Sequence, residues 1–232
     1  MVSKNEHFSI QNYYDMYKAR GLRLVVEYFF YNHLFDILNR TDTHSWNKAN
    51  TINKDHGIYM ASWSRDVKRA MIFLEKKNKD FVNKADLVDI GSGKGKVLLL
   101  WRKLYGCKKI IVGIENNRKL SDICINNFSI MNEEFPILIK KNAEEVMLTK
   151  ENLIIKKNHN KIFFLYNPFG SKILKTFFQK NSFKYSAIIY FNPLHTKELV
   201  NINYECIYSK KSYRKGSTIN ILISKELKNK LQ

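Results

Sequence analysis

Three glycines in the run Gly91-Ser-Gly-Lys-Gly95 form the sequence feature with the clearest chemical meaning. They follow the apolar run Leu87-Val-Asp-Ile90 and precede a helix-forming run that begins at Lys96. Glycine has no Cβ, so the backbone can turn tightly here and approach a ligand closely. A strand, a glycine loop and a helix in this order predict a cradle for an adenosine-containing cofactor. The predicted loop contacts are Gly91, Ser92, Gly93 and Gly95.

Two acidic residues narrow the choice of cofactor. Glu115 ends the next apolar run, where an acidic side chain accepts the ribose hydroxyls of an adenosine, and its neighbour Asn116 is included in the predicted site. Asp89 lies two positions before the first glycine, and the third glycine comes one position earlier than in the dinucleotide fingerprint. A carboxylate would repel a pyrophosphate but tolerates the cationic amino-acid end of S-adenosylmethionine (SAM). The pattern therefore favours SAM over NAD.

Two later segments extend the predicted site. Asn142 and Ala143 follow the third predicted strand, where a side chain and a backbone N–H read the adenine edge; the alternative for Asn142 is an ordinary helix cap. Asn167 and Pro168 follow the fourth predicted strand, at the edge of the sheet where ligands of open α/β folds bind. Asn167 is expected beside the transferred methyl group, and the alternative is a plain turn.

The elements that must position these residues alternate between short apolar runs and helical stretches, which is typical of a parallel sheet. Apolar spacing predicts N-terminal helices within Tyr13–Leu38 and Ser64–Lys77. Two β-rich runs joined through Gly216 predict a C-terminal antiparallel hairpin. The expected fold is α/β and Rossmann-like, as in class I methyltransferases: a seven-stranded, mostly parallel sheet with a helical cap. We expect the cap over residues 1–80 and the cofactor-binding catalytic domain over residues 81–232. The predicted strands are Leu87–Ile90, Ile110–Ile114, Ile137–Ile139, Ile162–Tyr166, Ala187–Phe191, Tyr204–Ser209 and Ser217–Ser224, and the predicted helices of the sheet region are Lys96–Leu104, Arg118–Phe128, Ala143–Met147, Lys172–Lys180 and Thr196–Val200.

The composition sets outer limits on location and partners. Three widely spaced cysteines without zinc-ligand spacing favour a reduced, cytoplasmic protein without a metal site, and no apolar run is long enough to span a membrane. The net charge of +19 suggests nucleic acid or an anionic substrate as partner. Only eight of the forty basic residues are Arg, which a low-G+C genome would also produce without selection for binding. Both interpretations stay open.

From about residue 28 to 200 the chain resembles a widespread family of small class I SAM-dependent methyltransferases. Its glycine loop is similar to that of a group of lysine methyltransferases, but its substrate segments are not. The resemblance implies that Thr43 and Tyr59 fold over the donor, with Tyr59 near its carboxylate end. The sequence departs from the family where Met-Ala follows Tyr59 and where Asn142 replaces a more common Asp. The matching segments are Leu34–Thr43, His56–Ala61, the glycine loop, Val112–Glu115, Leu165–Phe169 and Ile188–Pro193.

Methyl transfer is an in-line displacement that depends mainly on alignment. A hydroxyl acceptor also needs a general base, whereas an anionic oxygen does not. His195 borders the expected crevice and is the first candidate base, with His44 and His56 in the N-terminal cover as others. For each of them taken singly, a surface or helix-capping histidine is the favoured alternative. The candidate catalytic residues are Asn167, His195 and Tyr59.

Three functional hypotheses follow. The first is O-methylation of a small anionic or glycan-type acceptor, such as a surface-polysaccharide precursor, a nucleotide sugar or a phosphate or phosphoramidate group. The second is N-methylation of an RNA or DNA base, since Asn167-Pro-Phe-Gly170 is related to a motif whose fourth-position aromatic stacks on a flipped base. Here the aromatic Phe169 stands at position three. The third is a SAM-binding protein without catalysis.

Overall fold

The computed structural model describes residues 10–44, 61–151, 155, 159–166, 169–211 and 218–231. Seven strands in this part of the chain form one sheet in the order β3-β2-β1-β4-β5-β7-β6. The strands are β1 Ala85–Ile90, β2 Ile111–Ile114, β3 Ile137–Ile139, β4 Asn160–Tyr166, β5 Ser186–Phe191, β6 Tyr204–Lys211 and β7 Thr218–Ser224. Strands β1 to β5 pair in parallel, and β7 runs antiparallel to both β5 and β6. The predicted parallel sheet with an antiparallel C-terminal hairpin is confirmed.

The N-terminal helices lie between Ile10 and Asn83 along the chain. Gly21, with a φ of 76°, separates α1 from a second helical stretch that contains one π-helical turn at Phe29–His33. Two stretches agree with the one or two helices predicted there, and the helix predicted at Ser64–Lys77 is confirmed. These helices are α1 Ile10–Arg20, α2 Leu22–Tyr28, α3 Leu34–Asn39, α4 Ser64–Lys77 and α5 Lys79–Asn83.

The remaining helices alternate with the strands. Those that follow β1, β2, β4 and β5 are close to their predicted bounds. The helix predicted at Ala143–Met147 is different: a 3-10 turn covers Ala143–Glu145, and a separate short helix follows it. The last helix was not predicted. These helices are α6 Lys96–Tyr105, α7 Arg118–Ile130, α8 Leu148–Glu151, α9 Ser171–Lys180, α10 Thr196–Asn201 and α11 Lys225–Leu231.

Helices cover both faces of the sheet, so its central strands are apolar on both sides. Leu87 packs with α4 to α7, whereas its neighbour Val88 packs with α8 to α10, and both are fully buried. Continuous apolar runs of this kind are what a parallel sheet with two covered faces requires. No helix in the described part of the chain has both the length and the apolarity needed to cross a membrane.

The register of the sheet places the predicted site residues along one edge. Ile90 at the end of β1 aligns with Ile114 on one side and with Leu165 on the other. Ile114 in turn aligns with Ile139 at the end of β3. The loops after β1, β2, β3 and β4 therefore leave the sheet side by side, at the edge where ligands of such folds bind.

Candidate functional site

The glycine loop after β1 has a fixed backbone. Gly91, Gly93 and Gly95 have φ values of 78°, 51° and 82°, in the left-handed region that favours glycine. The amides of Gly91 and Ser92 both donate to the carbonyl oxygen of Ile114, at 2.8 and 3.0 Å. These two bonds hold the start of the loop against the end of β2.

Gly95 has a packing role in addition to its place in the loop. It precedes α6, and a Cβ at this position would lie 2.3 Å from the Sγ atom of Cys124 on α7. That distance is far below van der Waals contact, so only glycine lets the two helices approach this closely. The third glycine therefore serves the contact between helices, as it does in related nucleotide-binding loops.

Glu115 joins the glycine loop directly. Its Oε2 atom accepts a hydrogen bond of 2.8 Å from the Gly93 amide, and its Oε1 atom accepts one of 2.9 Å from the Asn117 amide. The residue is only 9% exposed. A carboxylate held by backbone amides keeps a fixed orientation, which suits the predicted role of accepting ribose hydroxyls.

Asp89 is a second buried carboxylate in this site. Burial raises its pKa well above the usual value, and the negative charge of Glu115 adds to the effect. A buried carboxyl group with a raised pKa is stabilised by a cation placed beside it. The chemistry of Asp89 and Glu115 therefore fits a ligand with a positive amino group at one end and a ribose at the other.

Asn116 and Asn142 connect the loops that follow β2 and β3. The Nδ2 atom of Asn116 donates to the Oδ1 atom of Asn142 at 2.8 Å. Asn142 occupies the N-cap position of the 3-10 turn at Ala143–Glu145, but its side chain makes no capping hydrogen bond. Ala143 is 8% exposed. The predicted adenine contact Asn142 is thus joined to the loop that carries Glu115.

Part of the predicted site lies outside the described residues. This applies to Tyr59, Asn167 and Pro168, and also to the candidate base His56. The residues that flank the Asn-Pro pair are described: Tyr166 ends β4, and Phe169 is 8% exposed in the core.

His195 follows β5 and directly precedes α10. Its ring is half-buried, and it has no hydrogen-bond partner among the residues that the structure describes. The backbone amides of His195 and Leu194 bond to the hydroxyl of Tyr190 and partly offset the burial that raises the pKa of Tyr190 to about 12. The loop is therefore anchored through its backbone, whereas no described residue orients the histidine ring.

Thr43 belongs to a segment, residues 41–44, that we call the strap. Asn127 on α7 is fully buried and holds the strap through Asp42, whose amide donates to its Oδ1 atom at 2.9 Å and whose carbonyl oxygen accepts from its Nδ2 atom at 3.1 Å. The same Nδ2 atom donates to the carbonyl oxygen of Lys94 at 3.0 Å. One side chain thus ties the strap to the glycine loop.

Lys94, the residue between the second and third glycines, makes a further link to the strap. Its Nζ atom lies 2.7 Å from Oδ2 of Asp42, and the lysine side chain is only 1% exposed. Thr43 is fully buried and donates its hydroxyl to Asp36 at 2.7 Å. The family resemblance implied that Thr43 folds over the donor. The residues that fasten the strap to the glycine loop, Asp42, Lys94 and Asn127, were not predicted.

Asp36 on α3 was also missed by sequence reasoning. Its carboxylate accepts hydrogen bonds from the hydroxyls of Thr41 and Thr43, from the Thr43 amide and from the Nδ1 atom of His44. Arg40, with a φ of 53°, ends α3 and turns the chain back over this carboxylate. The sequence signal that could have identified the cluster is an Asp near the end of a helix with two threonines, Thr41 and Thr43, five and seven residues after it.

Lys96 is the first residue of α6 and the buried cation of this region. Its Nζ atom lies 2.6 Å from the Oδ1 atom of Asn32, and the residue is 2% exposed. Burial lowers the pKa of Lys96 to about 7, although the charge of Asp36 acts in the opposite direction. The described residues contain no group of three His, Cys, Asp or Glu side chains that could hold a metal ion.

Comparison with known proteins identifies the fold. No protein-family model matches the chain, and no curated protein matches it significantly. Among solved structures, magnesium protoporphyrin IX methyltransferase from Synechocystis PCC 6803 with bound SAM is 13% identical, with a TM-score of 0.50, over 86% of this chain and 95% of that one. The PH0226 protein from Pyrococcus horikoshii OT3 is 11% identical, with a TM-score of 0.51, over 69% and 90%. NSun6 from Pyrococcus horikoshii is 12% identical, with a TM-score of 0.50, over 77% and 56%. The chain has the Rossmann-like fold of class I methyltransferases.

Proposed function

We propose that this chain is a SAM-dependent methyltransferase that methylates an oxygen atom of a small anionic or glycan-type acceptor, without a metal ion. The observation that carries the proposal is the hydrogen bond between the Gly93 amide and Glu115, with the buried carboxyl of Asp89 nearby in the same site. This arrangement offers a ribose acceptor and a partner for an ammonium group beside one glycine loop. When bound, SAM supplies an activated methyl group.

The residues of the chain divide the work of binding. We assign the amino-acid end of the donor to Asp89 and the glycine loop, the ribose to Glu115, and the adenine to Asn142 and Ala143. We place Asn167 at the reactive end, as the sequence predicts. Alignment of donor and acceptor and exclusion of water are then the main catalytic contributions.

Binding of the donor is the first test. We expect S-adenosylhomocysteine to bind the purified protein in a calorimetric titration and NADH not to bind. An absence of S-adenosylhomocysteine binding would overturn the proposed function.

The acceptor class can be tested with tritiated SAM and an extract of the source organism, separated into small-molecule, nucleic-acid and protein fractions. We expect tritium in the small anionic fraction, with little dependence of the rate on salt. Tritium in RNA or DNA, with a rate that falls steeply with salt, would favour base methylation instead, because many phosphate contacts release many counterions.

A further inference from the structure

The Asp36 cluster contains a histidine held by a buried carboxylate. Asp36 is 5% exposed, and one of its oxygens is in short contact with the Nδ1 atom of His44. A carboxylate that accepts the Nδ1–H of a histidine fixes the tautomer, so Nε2 is the basic nitrogen. The pair therefore has the construction of a general base with its orienting acid.

The carboxylate of this pair is ionised. Burial by itself would raise the pKa of Asp36, but hydrogen bonds from His44 and from the two threonines of the strap, together with the charge of Lys96, lower it below the usual value. The bonds from Thr41 and Thr43 are both 2.7 Å long. Asp36 is thus a fixed negative charge beside the imidazole of His44.

The strap carries His44 to the glycine loop. The carboxylate of Asp42 lies 2.7 Å from the Nζ atom of Lys94 in the glycine loop. The Nδ2 atom of Asn127 donates to the carbonyl oxygens of both residues. His44 lies two residues after Asp42, so their Cα atoms are at most about 7 Å apart. The side chain of His44 is 17% exposed, on the segment that Asn127 and Lys94 fasten to the glycine loop.

We propose that His44, oriented by Asp36, is the general base of the methyl transfer and that the acceptor is therefore a hydroxyl group. This inference rests on the proposed function. An acceptor oxygen that is already anionic would have no use for a base. Among small acceptors, the pair favours an alcohol or a sugar hydroxyl over a phosphate or carboxylate oxygen.

The step balances without a further reactant. His44 Nε2 takes the hydroxyl proton while the acceptor oxygen forms its bond to the methyl carbon, and the electron pair of the broken carbon–sulfur bond stays on sulfur. The products are a methyl ether, S-adenosylhomocysteine and an imidazolium paired with Asp36. The proton then passes to solvent, which restores the base.

His33 is a titratable neighbour of the pair within the described residues. Its ring lies 3.9 Å from that of His44, centroid to centroid, and burial followed by the charges of His44 and Lys96 lowers the pKa of His33 to about 4. His33 is therefore neutral near pH 7 and does not compete for the proton.

His195 is a weaker candidate for the same role. Among the described residues its ring lacks an orienting partner, whereas His44 has a buried carboxylate. A base without such a partner spends less time in the productive orientation.

The location of His44 can be tested without knowing the acceptor. Diethyl pyrocarbonate modifies accessible imidazoles, and mass spectrometry reports each site. We expect S-adenosylhomocysteine to slow modification of His44 at least several-fold and to leave His159, at the opposite edge of the sheet, unchanged. Equal modification of His44 with and without S-adenosylhomocysteine would overturn its placement beside the donor.

The role of His44 is tested by His44→Gln, with His159→Gln as the matched control. With the acceptor fraction labelled by tritiated SAM, we expect His44→Gln to lower turnover about 100-fold or more, the range of general base catalysis, with S-adenosylhomocysteine affinity retained. The control should behave as wild type. Full turnover in His44→Gln would overturn the proposal, whereas failure of the unmodified protein to bind S-adenosylhomocysteine would refute the proposed function itself.

Discussion

The Gly93 amide and the Oε2 atom of Glu115 lie 2.8 Å apart, across 22 residues of sequence. The hydrogen bond joins the middle of the glycine loop to Glu115, the residue after β2. The glycine loop and the proposed ribose acceptor therefore form one unit. The carbonyl oxygen of Ile114 fixes the start of the same loop by accepting hydrogen bonds from the amides of Gly91 and Ser92. Hydrogen bonds within the protein thus hold the backbone of the site in place.

Substitution of Gly93 by valine should abolish S-adenosylhomocysteine binding. A branched side chain at a φ of 51° is strained by about 1–2 kcal/mol, and the amide would move away from Glu115. The measurement is a calorimetric titration together with thermal unfolding, in which the variant should remain folded.

Gly106→Val is the matched control for this strain. Gly106 also has a positive φ, of 60°, but a Cβ there meets nothing within 4 Å, and it lies at the far end of α6. We expect similar destabilisation and unchanged affinity. Unchanged affinity in Gly93→Val as well would remove the glycine loop from the donor site.

Glu115→Gln should weaken S-adenosylhomocysteine binding about 10- to 100-fold. The substitution keeps the shape of the side chain but removes the charge, and hydrogen bonds to charged groups contribute about 1.5–3 kcal/mol. Glu205→Gln on β6, which breaks an exposed ion pair with Lys228, serves as control and should bind normally. Equal affinity of both variants would contradict the ribose assignment of Glu115.

Donor affinity should rise with pH through the raised pKa of Asp89. Below that pKa the carboxyl is neutral and cannot pair with the ammonium group of the ligand; above it the charged form is present. Binding should therefore release a proton, which titrations in two buffers of different ionisation enthalpy detect. Asp89→Asn should remove this proton release; proton release that persists in the variant would point to another group.

The same shift has a consequence for stability. Because burial raises the pKa of Asp89 in the folded protein, its contribution to the free energy of unfolding is present at low pH and is lost as pH rises through the raised value. Asp89→Asn should thus raise the unfolding temperature of the ligand-free protein at pH 8 more than at pH 5. A decrease at pH 8 would mean that the carboxylate has a stabilising partner in the folded protein.

Asn127→Ala should lower both stability and donor affinity. The side chain makes three hydrogen bonds, to the amide and carbonyl of Asp42 and to the carbonyl of Lys94, and the groups left without partners cost about 1–3 kcal/mol each. Urea unfolding and calorimetry measure the two effects. Ser186→Ala is the control, because it removes a buried hydroxyl at the amino end of β5. It should lower stability and leave the affinity for S-adenosylhomocysteine unchanged. An equal loss of affinity in the two variants would show a general effect of destabilisation.

The sheet could be predicted because its information is local. The central strands are mainly apolar and end at a polar or glycine residue, and the side chains of β1 and β5 are buried along their whole length. The helix predicted at Ala143–Met147 failed for a non-local reason. Asn181 at the end of α9 bonds to the Val146 carbonyl and the Leu148 amide and holds that segment outside a regular helix.

The site divides in the same way. Asp89 near the end of β1, the glycines after it and Glu115 after β2 could be placed from spacing alone. The partner of Lys96 is Asn32, 64 residues away, and Asn127 lies 85 residues from Asp42. Such pairs depend on how the N-terminal helices dock, which periodicity does not encode.

The close approach of Gly95 and Cys124 couples the side-chain sizes that these two positions allow. A Cβ at position 95 would lie 2.3 Å from the cysteine sulfur, so neither residue can grow while the other stays as it is. A smaller residue at position 124 would relieve this clash, but the φ of 82° would still strain any other side chain at position 95. Glycine is therefore required there for two independent reasons, and position 124 in the helix after β2 has to stay small as long as α7 packs against the loop.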